Sequence, residues 1–126
     1  MLIIDDDVGL CQVMKMFFED RDYNVTVLHN GHEAISYLET QKPQIVLLDV
    51  GLPDLSGLDV LKIIRQTDPN INVVMITGYE TDYLMELGGD LGEVTFINKP
   101  FGIETLKEIV ENIQNEEIKN KEIKDD

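Results

Sequence analysis

The sequence predicts an α/β domain whose five-stranded parallel sheet is covered by helices on both faces. Two observations carry that prediction. Five short runs are apolar at successive positions rather than alternating, which is the pattern of strands buried on both sides. Between them lie stretches with apolar residues at helical spacing, and strands alternating with helices build parallel sheets through right-handed crossovers.

The elements follow in order. Leu2–Ile4 is the first strand, and Asp5-Asp6-Asp7 ends it. Leu10, Val13, Met14, Phe17 and Phe18 share one face of the first helix. Cys11 sits at the edge of that face as a small packing residue. Asn24–Leu28 is the second strand. His29 and His32 flank Gly31 at a surface turn, and Ala34, Ile35 and Leu38 mark the second helix. Ile45–Leu48 is the third strand, ended by Asp49. Ser56 is placed to cap the next helix, whose stripe is Leu58, Leu61 and Ile64. Asn72–Ile76 is the fourth strand, leading into Thr77-Gly78. Asp82–Leu87 is a short, weak fourth helix bounded by glycines. Val94–Ile97 is the fifth strand, followed by Lys99-Pro100, and Leu106, Ile109, Val110 and Ile113 give the fifth helix. From Asn115 the chain is polar and charged. The expected division is therefore a domain over 1–114 and a tail or linker over 115–126, which either extends the last helix or leads onward.

The 126 residues fit one domain. The 25 acids against 10 bases leave a net charge of −15, which repels phosphate backbones and attracts cations. Direct nucleic-acid binding is not expected. The single cysteine excludes an internal disulfide and a cysteine zinc site. No run approaches the roughly 20 apolar residues of a membrane span, and no basic-then-apolar leader opens the chain. A cytoplasmic protein without membrane contact is expected.

In parallel sheets of this kind ligands bind beyond the carboxyl ends of the strands. There the sequence collects Asp5, Asp6 and Asp7, then Asp49, Thr77 and Lys99. Each alone is an ordinary turn former. Together they follow the first, third, fourth and fifth strands and spare the second. Clustered carboxylates repel one another, and one ammonium is too little for three acids. Hard oxygen ligands suit Mg²⁺, with Mn²⁺ as a second choice. A carboxylate beside such an ion can attack phosphorus and form an acyl phosphate, with Lys99 neutralising the transferred oxygens.

Four motifs bear on this: IIDDD at 3–7, VLLDVGLPDLSG at 46–57, MITG at 75–78 and FINKPF at 96–101. In order and spacing they resemble the receiver domain of bacterial two-component response regulators, over about Leu2 to Ile113. The resemblance implies a flavodoxin-like strand order of 2-1-3-4-5. It makes Asp49 the phosphoacceptor and Asp5 and Asp6 the acidic pair of the metal site. It also assigns the Gly51 carbonyl to that site, the Thr77 hydroxyl and the Lys99 ammonium to the phosphoryl group, and a cis peptide bond to Pro100. Pro53 and Gly57 match residues that shape the loop after the acceptor. Phe96 matches the aromatic that turns inward or outward with activation. The implied phosphodonor is a sensor histidine kinase or a histidine phosphotransfer protein. The implied activity is self-phosphorylation and autodephosphorylation without turnover of a substrate. The face formed by the fourth helix, fifth strand and fifth helix is the implied homodimer surface.

The chain departs from the family pattern in places. Asp7 makes the acidic pair a triplet and is expected to cap the first helix. Gly51 opens the acceptor to water, while Tyr79 is bulky enough to shield it. Gly102 stands where a capping residue is usual. Three alternatives remain: a receiver-like docking module without phosphorylation, a phosphohydrolase of the haloacid dehalogenase type, and a flavodoxin-type cofactor binder. The second lacks a general-acid aspartate, because Gly51 stands two residues after Asp49. The third lacks a phosphate-cradling loop after the first strand, where aspartates would repel the ligand.

Overall fold

The computed structural model describes residues 1–78 and 92–124. The order is β1 (Leu2–Ile4), α1 (Val8–Glu19), β2 (Thr26–Leu28), α2 (Gly31–Thr40), β3 (Ile45–Asp49), α3 (Gly57–Thr67), β4 (Asn72–Thr77), β5 (Val94–Asn98) and the C-terminal helix α4 (Ile103–Lys124). The strands form one parallel sheet in the order β2-β1-β3-β4-β5. The expected short helix at Asp82–Leu87 and the shielding residue Tyr79 lie outside the described residues.

The two-residue period of a strand splits the core into two layers. Leu2, Ile4, Val46, Leu48 and Met75 pack with Ala34 and Leu38 of α2 and Val60, Leu61 and Ile64 of α3. Ile3, Leu47, Val74 and Ile76 pack on the other face with Cys11, Met14 and Phe18 of α1 and Leu106 and Val110 of α4. Burial on both sides explains why the strand sequences are apolar at every position.

The face of α1 differs from the expected one. The buried residues are Cys11, Met14 and Phe18, while Val13 is 55 % exposed. Leu10 and Phe17 pack only at the margin of the core. Cys11 is thus a buried member of the stripe. Counting apolar side chains turned the predicted face toward Val13. A buried thiol behaves as a small hydrophobe and turns it back. Phe17 is covered instead by the Arg21 guanidinium, 3.6 Å from the ring centroid.

The helices begin where side chains accept their first orphan N–H groups. Asp7 accepts from the Leu10 N–H at 3.0 Å, Ser56 from Leu58 at 3.2 Å and Asn30 from Glu33 at 2.8 Å. The start of α2 has a second, remote cap. Asp54, in the loop after β3, accepts from the Gly31 N–H at 2.8 Å and the His32 N–H at 2.9 Å, and it also touches the His32 ring. Burial alone would raise the Asp54 carboxyl, but these donors outweigh it and hold it well below the usual carboxylate range. The C-terminal helix runs without a break through 115–124. Tyr23 donates to Gln114 at 2.8 Å and the Asn72 carboxamide to Glu117 at 2.5 Å, so the helix is tied down well past its apolar stripe.

Candidate functional site

The parallel sheet brings Asp5, Asp49, Thr77 and Lys99 to one edge. Asp49 pairs in register with Ile76, and Thr77 with Asn98, one residue before Lys99. Asp5 and Thr77 are fully buried and Asp49 is 6 % exposed, whereas Asp6 stands in solvent. Carboxylate oxygens of Asp5, Asp6 and Asp49 all lie within 4.8 Å of one another. Asp7 turns away to cap α1.

The end of β3 is held from below by α3. A methyl group on Gly57 would lie 2.4 Å from the Asp49 carbonyl oxygen and 2.7 Å from the Val50 Cα. Only glycine allows that approach, and the Gly57 N–H donates to the Val50 carbonyl at 2.9 Å. Gly51 is different. A methyl there would meet nothing closer than an Asp49 oxygen at 3.9 Å, so this side of Asp49 is open. The Gly51 N–H donates to Asp49 Oδ1 at 3.1 Å. Lys99 enters from β5, with its N–H on the Thr77 carbonyl at 2.7 Å, and the Lys99–Pro100 peptide is cis. Phe96 is half-buried and packs against the layer formed with α2 and α3.

The charges do not balance. Lys99 Nζ lies 3.1 Å from Asp5 Oδ2 and donates to Asp49 Oδ2 at 3.4 Å. Asp5 Oδ1 accepts from the Asp7 N–H at 2.9 Å, but Oδ2, although near the ammonium, is buried without an aligned hydrogen bond. Burial raises the Asp5 carboxyl above its ordinary value, and the Asp49 charge adds to this. The Asp7 N–H and Lys99 do not compensate. Burial would lower Lys99, but Asp5 and Asp49 outweigh it and raise the ammonium instead. An isolated ion pair would pull its acid down. Here the acid rises, because burial outweighs the help of the Asp7 N–H and of an ammonium that Asp5 shares with Asp49. The buried oxygen that has the ammonium beside it but no aligned hydrogen bond, and the all-oxygen donor set, fit a hard divalent cation.

Two neighbours of this cluster escaped the sequence reading. His29 Nδ1 lies 3.0 Å from the Asp5 carbonyl oxygen, and the Cys11 thiol donates to that same oxygen at 3.2 Å. Burial, with the charges of Asp5 and Asp7 behind it, pushes the Cys11 thiol up to about 12, so it stays a protonated donor. Asp54 escaped as well, since nothing local links it to a helix 22 residues upstream.

The profile of the response regulator receiver domain matches residues 1–111. The chain belongs to the response regulator receiver family. It is 37 % identical over 105 residues to the uncharacterized transcriptional regulatory protein YkoG of Bacillus subtilis, covering 83 % of this chain and 46 % of YkoG. It is 33 % identical over 110 residues to sporulation initiation phosphotransferase F of the same organism, covering 86 % of this chain and 88 % of that protein. Among solved structures, a CheY-like response regulator receiver domain protein from Methanospirillum hungatei superposes with a TM-score of 0.83 at 25 % identity, covering 94 % of this chain and 95 % of that one. The chain therefore spans about half of one relative and most of the other two. Receiver domains are regulatory phosphoacceptors; they take phosphoryl groups from histidine kinases or phosphotransfer proteins and bind Mg²⁺ through acidic residues. Among the described residues no helix is long and apolar enough to cross a membrane.

Proposed function

We propose that this receiver domain accepts its phosphoryl group on Asp49. The observation that carries the assignment is the asymmetry among the clustered acids. Asp49 has one oxygen beside the Lys99 ammonium and one beside the open Gly51, whereas Asp5 is fully enclosed. The carboxylates of Asp6 and Asp49 and the carbonyl of Gly51, with Asp5 behind them, would hold Mg²⁺. When bound, the ion supplies positive charge against the oxygens of the entering phosphoryl group.

An Asp49 oxygen attacks phosphorus in line with the P–N bond of a phosphohistidine. That bond breaks, its electron pair returns to the imidazole nitrogen, and an acyl phosphate forms on Asp49. Lys99, already poised at Asp49, contacts a phosphoryl oxygen, and the Thr77 hydroxyl donates to another. The modification adds about −1.5 to −2 charges at the edge of the sheet. Movement of Thr77 toward the phosphoryl group frees space for Phe96, and β5 with α4 changes shape. Water reaching the acyl phosphate past Gly51 reverses the switch. A phosphomonoester hydrolase would need a general acid two residues after the nucleophile, and Gly51 has no side chain to serve. The partners proposed are a cytoplasmic histidine kinase or phosphotransfer protein, with a second copy docking on the β5–α4 face.

Incubation with acetyl phosphate and Mg²⁺ should give a phosphate-sized mass gain that Asp49→Asn abolishes. A variant gaining the same mass at the same rate would overturn the assignment.

A further inference from the structure

We infer that His29 and Cys11 are positioning residues that lock the Asp5–Asp6 peptide and thereby hold Asp6 at the cation site. The inference rests on the functional reading above and concerns what keeps its acidic pair in place. The β1–β2 ladder ends at Ile4 and Leu28, with the Asp5 N–H on the Leu28 carbonyl at 3.1 Å. Beyond that point no backbone N–H among the described residues meets the Asp5 carbonyl. Two side chains take over. The Cys11 thiol reaches it from the buried face of α1, and His29 Nδ1 reaches it from the residue after β2. The root of His29 is itself held, because its N–H donates to Glu33 of α2 at 3.3 Å.

A carbonyl oxygen has two lone pairs, and here each has a donor. Together with the Asp5 N–H, these contacts fix both peptide planes around Asp5. The Asp5 side chain is fixed as well, by the Asp7 N–H and Lys99. Asp6 is exposed and keeps only its own side-chain rotations. Its Cα is set by the peptide that His29 and Cys11 clamp, so the ligand starts from a rigid root. Binding a cation then costs less ordering of the chain. A carbonyl can only accept, so the geometry also requires the hydrogen of a neutral His29 ring to sit on Nδ1.

A merely structural role would satisfy the buried carbonyl and leave the cation indifferent. The test compares variants that keep or remove a donor, using Mg²⁺ affinity of the unphosphorylated chain measured by calorimetry. His29→Asn places a carboxamide N–H near the position of Nδ1 and should bind Mg²⁺ within about twofold of wild type. His29→Leu should bind about three- to tenfold more weakly, the scale of one lost hydrogen bond. Cys11→Ser keeps a donor and should stay near wild type, whereas Cys11→Ala should fall by less than His29→Leu because the thiol is the weaker donor. Equal affinities for His29→Leu and wild type would overturn the clamp while leaving the phosphoacceptor reading intact. A wild type that binds no Mg²⁺ would overturn both. Should His29→Leu fail to fold, a long-range ¹H–¹⁵N spectrum of the wild-type imidazoles at pH 8 still decides. The Nδ1-protonated tautomer is expected, and the Nε2-protonated form would overturn the clamp.

Discussion

The two ends of the sheet handle polar groups in opposite ways. At the amino end, Arg65 donates to the carbonyls of Ile71 at 2.6 Å, Glu93 at 2.8 Å and Pro69 at 3.4 Å, stapling α3 to the entries of β4 and β5. Asn72 adds its N–H to the Gln44 carbonyl and its carboxamide to Glu117. A cavity of about 680 Å³ opens there between Lys42, Arg65, Asp68 and Glu117. Its charges come in both signs, and its guanidinium is committed to carbonyls. At the carboxyl end two buried carboxylates share one ammonium with a third carboxylate beside them, and a buried oxygen has no aligned donor. Among the described residues, this cavity lies away from the clustered acids, where the charge is uncompensated. One end pairs its polar groups with carbonyls, and the other holds carboxylate charge in excess of its ammonium.

Three experiments sharpen or break that contrast. The largest effect should come from the cation itself. Mg²⁺ at about 100 times its dissociation constant should stabilise the folded chain by roughly 2.7 kcal/mol in urea titrations. The matching variant is Asp5→Asn in magnesium-free buffer. The folded-state value of Asp5 is raised above its ordinary 3.8. Its stabilising contribution is therefore present below that pH and lost as pH rises through the folded value. Asp5→Asn should raise stability at pH 7, with the gain fading toward pH 3.8. A destabilised variant at pH 7 would show that the acids are already compensated.

Next in size is the staple. Arg65→Met should lower unfolding free energy by about 2 kcal/mol, since charged hydrogen bonds to carbonyls are lost. The rate of phosphoryl uptake from acetyl phosphate should stay within about twofold. Loss of uptake at unchanged stability would erase the division between the two ends. The smallest effect contrasts two glycines that follow β3. Gly57→Ala should cost at least about 1 kcal/mol, because its methyl meets backbone that cannot yield. Gly51→Ala should stay within about 0.5 kcal/mol of wild type, as for a substitution into open space. Equal melting temperatures for the pair would refute the close approach of α3 to the end of β3.

Much of the site was legible from residue order. A parallel sheet sends every strand's carboxyl end to one edge, so residues that follow β1, β3, β4 and β5 must meet there. Asp5, Asp6, Asp49, Thr77 and Lys99 could be listed without coordinates for that reason. The cap by Asp7 was legible too, because it acts within one helical turn. The facing of α1 was not. Val13 and Cys11 are both compatible with an apolar stripe, and packing against Ile3 and Leu47 chose between them.

Local chemistry thus determined the strands, the helix starts and the gathering of acids and ammonium at one edge, because those depend on periodicity and on neighbours a few residues apart. Tertiary structure alone decided that His29 and Cys11 meet on one carbonyl, that Asp54 caps α2, and that Asp5 is enclosed while Asp6 is free. These contacts join residues from 6 to 24 positions apart on different elements. Hydrogen bonds between such residues depend on distances of tenths of an ångström, which only the packed layers set.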